Sequence, residues 1–296
     1  MGEACGQRSL NILALDRRIL ARQTAQMTKI AIGLLGTAVV LYLTLAGLLF
    51  VKQRSMLYPG AHRVADHHAF QGFDEATLRT DDGLDLRAIH APARDGKPTL
   101  VFFHGNGDSL DGAVAATGRL SEAGYGLLLP EYRGYGGNPG SPTEAGLYAD
   151  GEAALQWLRD QGVPTDRTML VGNSLGSGVA TELATRHRVA GLVLISAFTT
   201  MADVASAHVR FVPVRLLLRD RYENAAKMPE LRTRVLVLHG ATDRLVPVSH
   251  GAELAQAAKE ATFIAVPGVG HELAYLPASQ AAILRWLDSV KPPGVK

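Results

Sequence analysis

A serine between two glycines, in the G-x-S-x-G pattern at 172–176, is the part of this sequence best suited to chemistry. The spacing is typical of a nucleophile on a sharp strand-to-helix turn, where larger side chains at the glycine positions would collide with the strand or the helix. An apolar run at 168–171 precedes the serine, and a run with helical spacing at 177–186 follows it. A plain Gly/Ser loop is the alternative, but the flanking runs favour a nucleophile at Ser174.

Two downstream loops offer the partners that a serine nucleophile needs. A histidine must accept the serine proton, and a carboxylate must orient that histidine. Asp243 follows a predicted strand at 233–239, and His271 follows a predicted strand at 261–266. Either residue alone is more typical of an ordinary loop, but their joint placement predicts a catalytic triad with Ser174.

An oxyanion hole is the remaining requirement, because acyl transfer places negative charge on the former carbonyl oxygen. A predicted strand at 98–103 runs directly into His104-Gly105-Asn106-Gly107. We expect the two donors to be the backbone N–H groups of Asn106 and Leu175. A simple turn is the alternative for this loop, and in either case His104 is expected to support it from beneath.

Strands and helices alternate along the chain, which predicts an α/β fold with a mostly parallel, eight-stranded sheet flanked by helices. The predicted strands are 76–80, 84–91, 98–103, 126–130, 168–173, 190–196, 233–239 and 261–266. The predicted helices are 108–123, 144–161, 175–186, 247–259 and 278–290. The segment at about 198–232 separates two strands and is predicted to form a short cap over a fairly open site.

Several motifs together resemble a known group of enzymes. They are Ser-Met-Leu-Tyr-Pro at 55–59, Phe-His-Gly-Asn-Gly at 103–107, Tyr-Arg-Gly-Tyr-Gly at 132–136, Gly-Ser-Pro-Thr-Glu at 140–144 and the serine motif at 172–176. Over about residues 55–290, the chain resembles the membrane-anchored α/β-hydrolases of the BEM46 and ABHD13/ABHD12/ABHD17-like group. The resemblance implies an α/β-hydrolase core with the same triad, and it implies no particular substrate.

The chain departs from that group at two positions. Asn173 precedes the nucleophile where relatives often have Arg, Gln or His, and Glu131 stands where Asp is commoner. Neither residue belongs to the triad. Arg133, in the loop that follows Glu131, is expected to be a structural ion-pair partner rather than a substrate ligand.

An uncharged apolar run from Ile30 to Val51 precedes the predicted α/β domain. As a helix it would be about 33 Å long, enough to cross a bilayer. A cleaved signal peptide is the competing interpretation, but the run is longer than a usual signal core and no clean A-x-A site follows it. We therefore predict a single-pass membrane anchor.

Basic residues near the anchor give a small bias in orientation. Four precede it (Arg17, Arg18, Arg22 and Lys29) and three follow it (Lys52, Arg54 and Arg63). Positive charge favours the cytoplasmic side, so the catalytic domain is predicted on the extracytoplasmic side. A start at Met27 would remove three of these arginines and leave the two orientations nearly even.

The composition excludes several classes of protein. The 296 residues carry a formal charge of +2, and the basic residues are scattered among acidic ones, so nucleic-acid binding has no support. The single cysteine, Cys5, lies outside the predicted domain and leaves no internal disulfide or thiol nucleophile. A serine triad supplies its own acid and base, so we expect no metal and no cofactor. The oligomeric state is left open.

The predicted organisation is a tail at 1–29, an anchor at 30–51, a linker and start of the core at 52–75, a catalytic domain at 76–290 and a tail at 291–296. The predicted function is hydrolysis of carboxylic esters or thioesters. The substrate could be a small molecule, but the anchor favours a lipid or an acylated molecule. A serine peptidase or amidase could use the same triad. A non-catalytic membrane-tethered binding module is the contrasting class, and it would be expected to lack a triad residue.

Overall fold

The computed structural model describes residues 3–61, 70–94 and 96–290. The predicted C-terminal tail and part of the predicted linker, at 62–69, lie outside the described residues. The chain divides into two compact units, Met1–Lys52 and Gln53–Lys296.

Helix α1 runs from Glu3 to Leu57; its residues up to Lys52 form the described part of the first unit, and residues 53–57 belong to the second. The helix is therefore longer than the predicted anchor, because its polar first part is helical as well. Within the described residues, Leu20–Leu57 is long and apolar enough to cross a membrane. The hydroxyls of Thr37 and Thr44 donate to carbonyls one turn back in this helix, at 3.0 and 2.8 Å, so these polar groups have partners in an apolar stretch.

The second unit is built on an eight-stranded sheet. Its strands are β1 Asp74–Arg79, β2 Asp85–Ala91, β3 Thr99–Phe103, β4 Gly126–Pro130, β5 Thr168–Asn173, β6 Gly191–Ile195, β7 Val235–Gly240 and β8 Ala261–Val266. The order across the sheet is β1-β2-β4-β3-β5-β6-β7-β8. β1 and β2 pair antiparallel with their neighbours, whereas β4, β3 and β5 to β8 run parallel to one another.

Helices cover both faces of the sheet. They are α2 Leu110–Glu122, α3 Glu144–Asp160, α4 Leu175–Arg186, α5 Met201–His208, α6 Val214–Leu217, α7 Asn224–Lys227, α8 Val248–Ala257 and α9 Pro277–Ser289. The central strands β3, β5 and β6 are buried along their whole length, and two hydrophobic clusters form on the two sides of the sheet. This layering is the usual way to bury both faces of a parallel sheet.

The predicted sheet is confirmed, and the predicted strands and helices agree with the observed ones to within two residues at each end. The short helices α5, α6 and α7, all in the predicted cap segment, were not predicted. α6 and α7 have four residues each, which is too short for a recognisable helical period.

The register of the parallel strands brings their carboxyl ends to one edge. Phe103 at the end of β3 pairs with Gly172 of β5, and Asn173 pairs with Ile195 of β6. Gly240 at the end of β7 pairs with Val266 at the end of β8. The loops that leave these five strands therefore emerge at the same edge of the sheet, as is usual for ligand sites in parallel sheets.

Candidate active site

Ser174 occupies a strained turn between β5 and α4. Its backbone angles are φ 50° and ψ −113°, which side-chain-bearing residues rarely adopt. A Cβ on Gly172 would lie 2.6 Å from Cα of Ser177, and a Cβ on Gly176 would lie 2.6 Å from the carbonyl carbon of Phe103. Both glycines are therefore required sterically, as the sequence predicted.

The structure brings the three residues of the predicted triad together. Nε2 of His271 lies 2.9 Å from Oγ of Ser174, and Nδ1 of His271 lies 2.7 Å from Oδ2 of Asp243. The Asp243 side chain is fully buried, whereas the His271 side chain is 28 % exposed. A histidine with one face open and the other held by a buried carboxylate can exchange a proton with the serine.

Backbone hydrogen bonds hold the loops that carry Asp243 and His271 together. The N–H of Ala241 donates to the carbonyl of Val266 at 2.9 Å, and the N–H of Thr242 donates to the carbonyl of Val269 at 3.0 Å. A Cβ on Gly240 would lie only 2.5 Å from the carbonyl oxygen of Val269. The close approach of the two loops sets the distance between the carboxylate and the imidazole.

The two oxygens of Asp243 have separate partners. Oδ1 accepts hydrogen bonds from the N–H groups of Leu245 and Val246, each at 2.9 Å, and Oδ2 faces His271. Burial acts to raise the pKa of Asp243, but the hydrogen bonds from His271 and these N–H groups outweigh it and hold the pKa below its ordinary value. Asp243 is therefore a carboxylate at neutral pH.

His239, at the end of β7, was not predicted from the sequence. Its side chain is fully buried, with Nε2 2.8 Å from the carbonyl oxygen of Val246 and 3.6 Å from Oδ2 of Asp243. Burial lowers the pKa of His239, so the ring is neutral and Nε2–H is the donor to Val246. The residue thus holds the turn that carries Asp243, and its place four residues before Asp243 on a buried strand was the available signal.

The predicted oxyanion donors lie on the two segments next to the serine. Leu175 is the first residue of α4, where an N–H has no acceptor within the helix. Asn106 lies in the loop after β3, and a Cβ on the adjacent Gly105 would be 3.7 Å from Cβ of Ser174. The loop that carries Asn106 therefore passes directly beside the nucleophile.

His104 lies at the base of this loop, where support was predicted. Its Nε2 is 2.8 Å from Oε1 of Glu131 and its Nδ1 is 2.8 Å from the carbonyl oxygen of Gly105, with both side chains of the pair buried. Burial alone would lower the pKa of His104, but Glu131 outweighs burial and raises it. The hydroxyl of Tyr132 donates to the carbonyl of His104 at 3.0 Å, which fixes the loop from a second side.

Arg133 pairs with acidic side chains, as expected. Its Nε lies 2.7 Å from Oδ1 of Asp150, and its Nη1 lies 2.7 Å from Oδ2 of Asp82. The guanidinium thus fastens the loop after β4 to α3 and to the β1–β2 turn.

Among the described residues, no group of three or more His, Cys, Asp or Glu side chains could hold a metal ion.

Comparison with known proteins gives the following similarities. A family model described as the α/β-hydrolase fold matches residues 98–225. An uncharacterized protein of Mycobacterium tuberculosis is 39 % identical over 67 % of this chain and 72 % of its own length. Human α/β hydrolase domain-containing protein 17B is 32 % identical over 59 % of this chain and 60 % of its own length.

A solved structure agrees in fold. An esterase of Pyrococcus furiosus, Pf2001, superposes with a TM-score of 0.65 at 15 % identity, covering 77 % of this chain and 96 % of the esterase. At this level of identity the likeness concerns the fold.

Proposed function

Because this chain belongs to the α/β-hydrolase fold family, we propose that it is a membrane-anchored serine hydrolase that cleaves carboxylic esters or thioesters through an acyl-enzyme. One observation carries the proposal: the hydrogen-bonded line from Ser174 Oγ through His271 to Asp243, at 2.9 and 2.7 Å. Such a line gives the hydroxyl a base and gives that base a fixed tautomer.

Acylation begins when Oγ of Ser174 attacks the carbonyl carbon and Nε2 of His271 takes the hydroxyl proton. The carbonyl oxygen gains the negative charge, which the N–H groups of Asn106 and Leu175 stabilise. The tetrahedral intermediate collapses by breaking the bond to the leaving group, which receives the proton from His271. Ser174 then carries the acyl group, and the alcohol or thiol departs.

Deacylation repeats these steps with water. His271 takes a proton from water, whose oxygen attacks the acyl carbon, and the proton then goes to Oγ of Ser174 as the acid leaves. Throughout, Asp243 stays ionised and stabilises the imidazolium. The low pKa of this carboxyl, noted above, supports that role.

The lipid or acylated character of the substrate is supported by the apolar helix α1. A helix that holds the chain in a bilayer keeps Ser174 close to membrane-borne esters, which raises their effective concentration. The surplus of basic residues before the apolar run supports an extracytoplasmic catalytic domain.

Ester hydrolysis by the detergent-solubilised chain tests the proposal. We expect turnover of p-nitrophenyl esters, with a chain-length optimum that separates short soluble esters from lipid-like ones. Ser174→Ala should lower kcat by at least about 10⁴-fold, because the three triad residues act together and the loss of one removes the catalytic effect of all three. Ser289→Ala, an exposed serine at the end of α9, is the matched control and should be unchanged.

Turnover that persists in Ser174→Ala would contradict the nucleophile. Turnover of amides at rates comparable to esters would favour a peptidase or amidase instead.

A further inference from the structure

We propose that Gln53–Gly60, the segment just after the apolar run, is a positioning element for residues 104–107, which we call the oxyanion loop, and so belongs to the active site. This inference rests on the proposed function, because it assigns the segment a task through the N–H of Asn106. We call residues 53–60 the brace.

The brace contacts the oxyanion loop at two points. The side-chain amide Nδ2 of Asn106 donates a hydrogen bond to the carbonyl oxygen of Leu57. Gly60 packs against the backbone carbonyl of Asn106, so closely that a Cβ on Gly60 would overlap that oxygen. The brace therefore contacts both the side chain and the backbone of the residue assigned as an oxyanion donor.

Tyr135, from the loop after β4, completes the set of contacts. Its hydroxyl donates to Oδ1 of Asn106 at 2.7 Å, and its ring lies against Gly60, since a Cβ there would be 2.5 Å from Cε1 of the tyrosine. Both polar atoms of the Asn106 side chain are thereby occupied. With both amide atoms bonded, the Asn106 side chain is held in one orientation, and so is the backbone next to it. The backbone N–H then points in a fixed direction, which is what an oxyanion donor requires.

The brace is also fastened to the cap segment. Nε of Arg54 lies 3.0 Å from Oδ2 of Asp220. The hydroxyl of Tyr58 lies 2.9 Å from that of Tyr222, with both side chains buried. These contacts hold the brace against the cap segment of the same unit.

Two further bonds hold Gln53. Its Oε1 accepts from the N–H of Arg219 at 2.8 Å, and its Nε2 donates to the carbonyl of Leu217 at 3.3 Å. The brace thus ties the cap to the oxyanion loop.

Catalytic groups tolerate little misplacement, and a displacement of about 1 Å can cost about 100-fold in rate. A shift of the brace should therefore reduce catalysis rather than substrate binding.

Two substitutions in the full chain test this inference. Gly60→Ala adds one methyl group that pushes on Asn106 and Tyr135, whereas Tyr135→Phe removes one hydroxyl and adds nothing. The matched controls are Gly118→Ala, where a Cβ would meet nothing within 4 Å, and Tyr125→Phe, whose hydroxyl contacts Asp288 on α9. The measurements are kcat, KM and the inhibition constant of a trifluoromethyl ketone, which forms an oxyanion on the serine.

We expect Gly60→Ala to lower kcat by about 10- to 100-fold and Tyr135→Phe by about 3- to 10-fold, because a displaced donor loses part of what a deleted donor loses. KM should stay within about twofold, and the inhibition constant should rise by the factor by which kcat/KM falls. Both controls should match the wild type. A change in KM or thermal stability with kcat and ketone affinity unchanged would overturn the inference.

Hydrogen exchange separates this inference from the proposed function. If the wild type has no Ser174-dependent turnover, the function is wrong, but exchange of the 104–107 amides still reports on the brace. Faster exchange in Gly60→Ala and Tyr135→Phe than in the two controls would support positioning by the brace. Equal exchange in all four variants would overturn it.

Discussion

Asp243 gives each of its carboxylate oxygens a different task. Oδ1 closes its own turn with the N–H groups of Leu245 and Val246, and Oδ2 is left for His271. Because the turn is satisfied by one oxygen, the other can change its interaction with the imidazole without releasing the loop. A substitution that changes only the group facing His271 should therefore reduce catalysis more than it reduces the stability of the fold.

Asp243→Asn should therefore leave the fold intact and lower kcat by about 10⁴-fold. The amide can donate to Nδ1 of His271, which places the ring proton on Nε2 and removes the acceptor for the Ser174 hydroxyl. KM and the unfolding midpoint are the checks on the structure. Asp288→Asn, at an exposed aspartate beyond the site, is the control. If Asp243→Asn kept more than a tenth of the wild-type kcat, Asp243 would not be the orienting carboxylate.

The loop at 104–107, the proposed oxyanion loop, is held by side chains from neighbouring elements. Beneath it, the buried pair of His104 and Glu131 joins β3 to the loop after β4. The charge of Glu131 raises the pKa of His104, so the folded chain keeps the histidine proton at pH values where the unfolded chain has lost it. The pair should therefore stabilise the fold most at low pH.

The free energy of unfolding should accordingly contain a term that is fully present below about pH 6.5, the ordinary pKa of histidine, and is lost as pH rises through the higher pKa of the folded state. Glu131→Gln should destabilise the chain by about 3–5 kcal/mol, because it removes one partner of a buried pair. It should also abolish the loss of stability above pH 6.5. Urea midpoints measured from pH 6 to 9 test both statements, and parallel curves for the two proteins would refute the assignment.

Local patterns made much of this site predictable. The glycines around Ser174 and the buried strand before each loop are visible within a few neighbouring residues, and the order of Ser174, Asp243 and His271 can be read along the chain. The contacts of Asn106 with Tyr135 and Leu57 were not predictable, since they join residues 29 and 49 positions apart that share no spacing pattern. The position of His239, four residues before Asp243 on a buried strand, is a weak signal, because a histidine inside an apolar strand resembles any other core position.

Helix α1, from Glu3 to Leu57, contains both the apolar run and residues 53–57 of the brace. Residues 53–57 belong to the second unit and bond to other groups of that unit.

Cys5 allows the orientation to be tested, because it is the only cysteine in the sequence. The variant Cys5→Ser, Glu253→Cys moves the single cysteine to an exposed position on α8. In intact cells that express the chain from Met1, a membrane-impermeant maleimide should label this variant and leave the wild type unlabelled. Permeabilised cells should show labelling of both proteins. The reverse pattern would place the catalytic domain in the cytoplasm, and release of the protein by alkaline carbonate would contradict the anchor.

Mass spectrometry of the folded chain after reaction with a fluorophosphonate tests most directly whether Ser174 is the nucleophile. We expect one covalent adduct per chain, located on Ser174, and a loss of this adduct in His271→Ala because the serine then lacks its base. Absence of an adduct on the wild type, or an adduct on a different serine, would contradict the assignment of Ser174 as the nucleophile of a serine hydrolase.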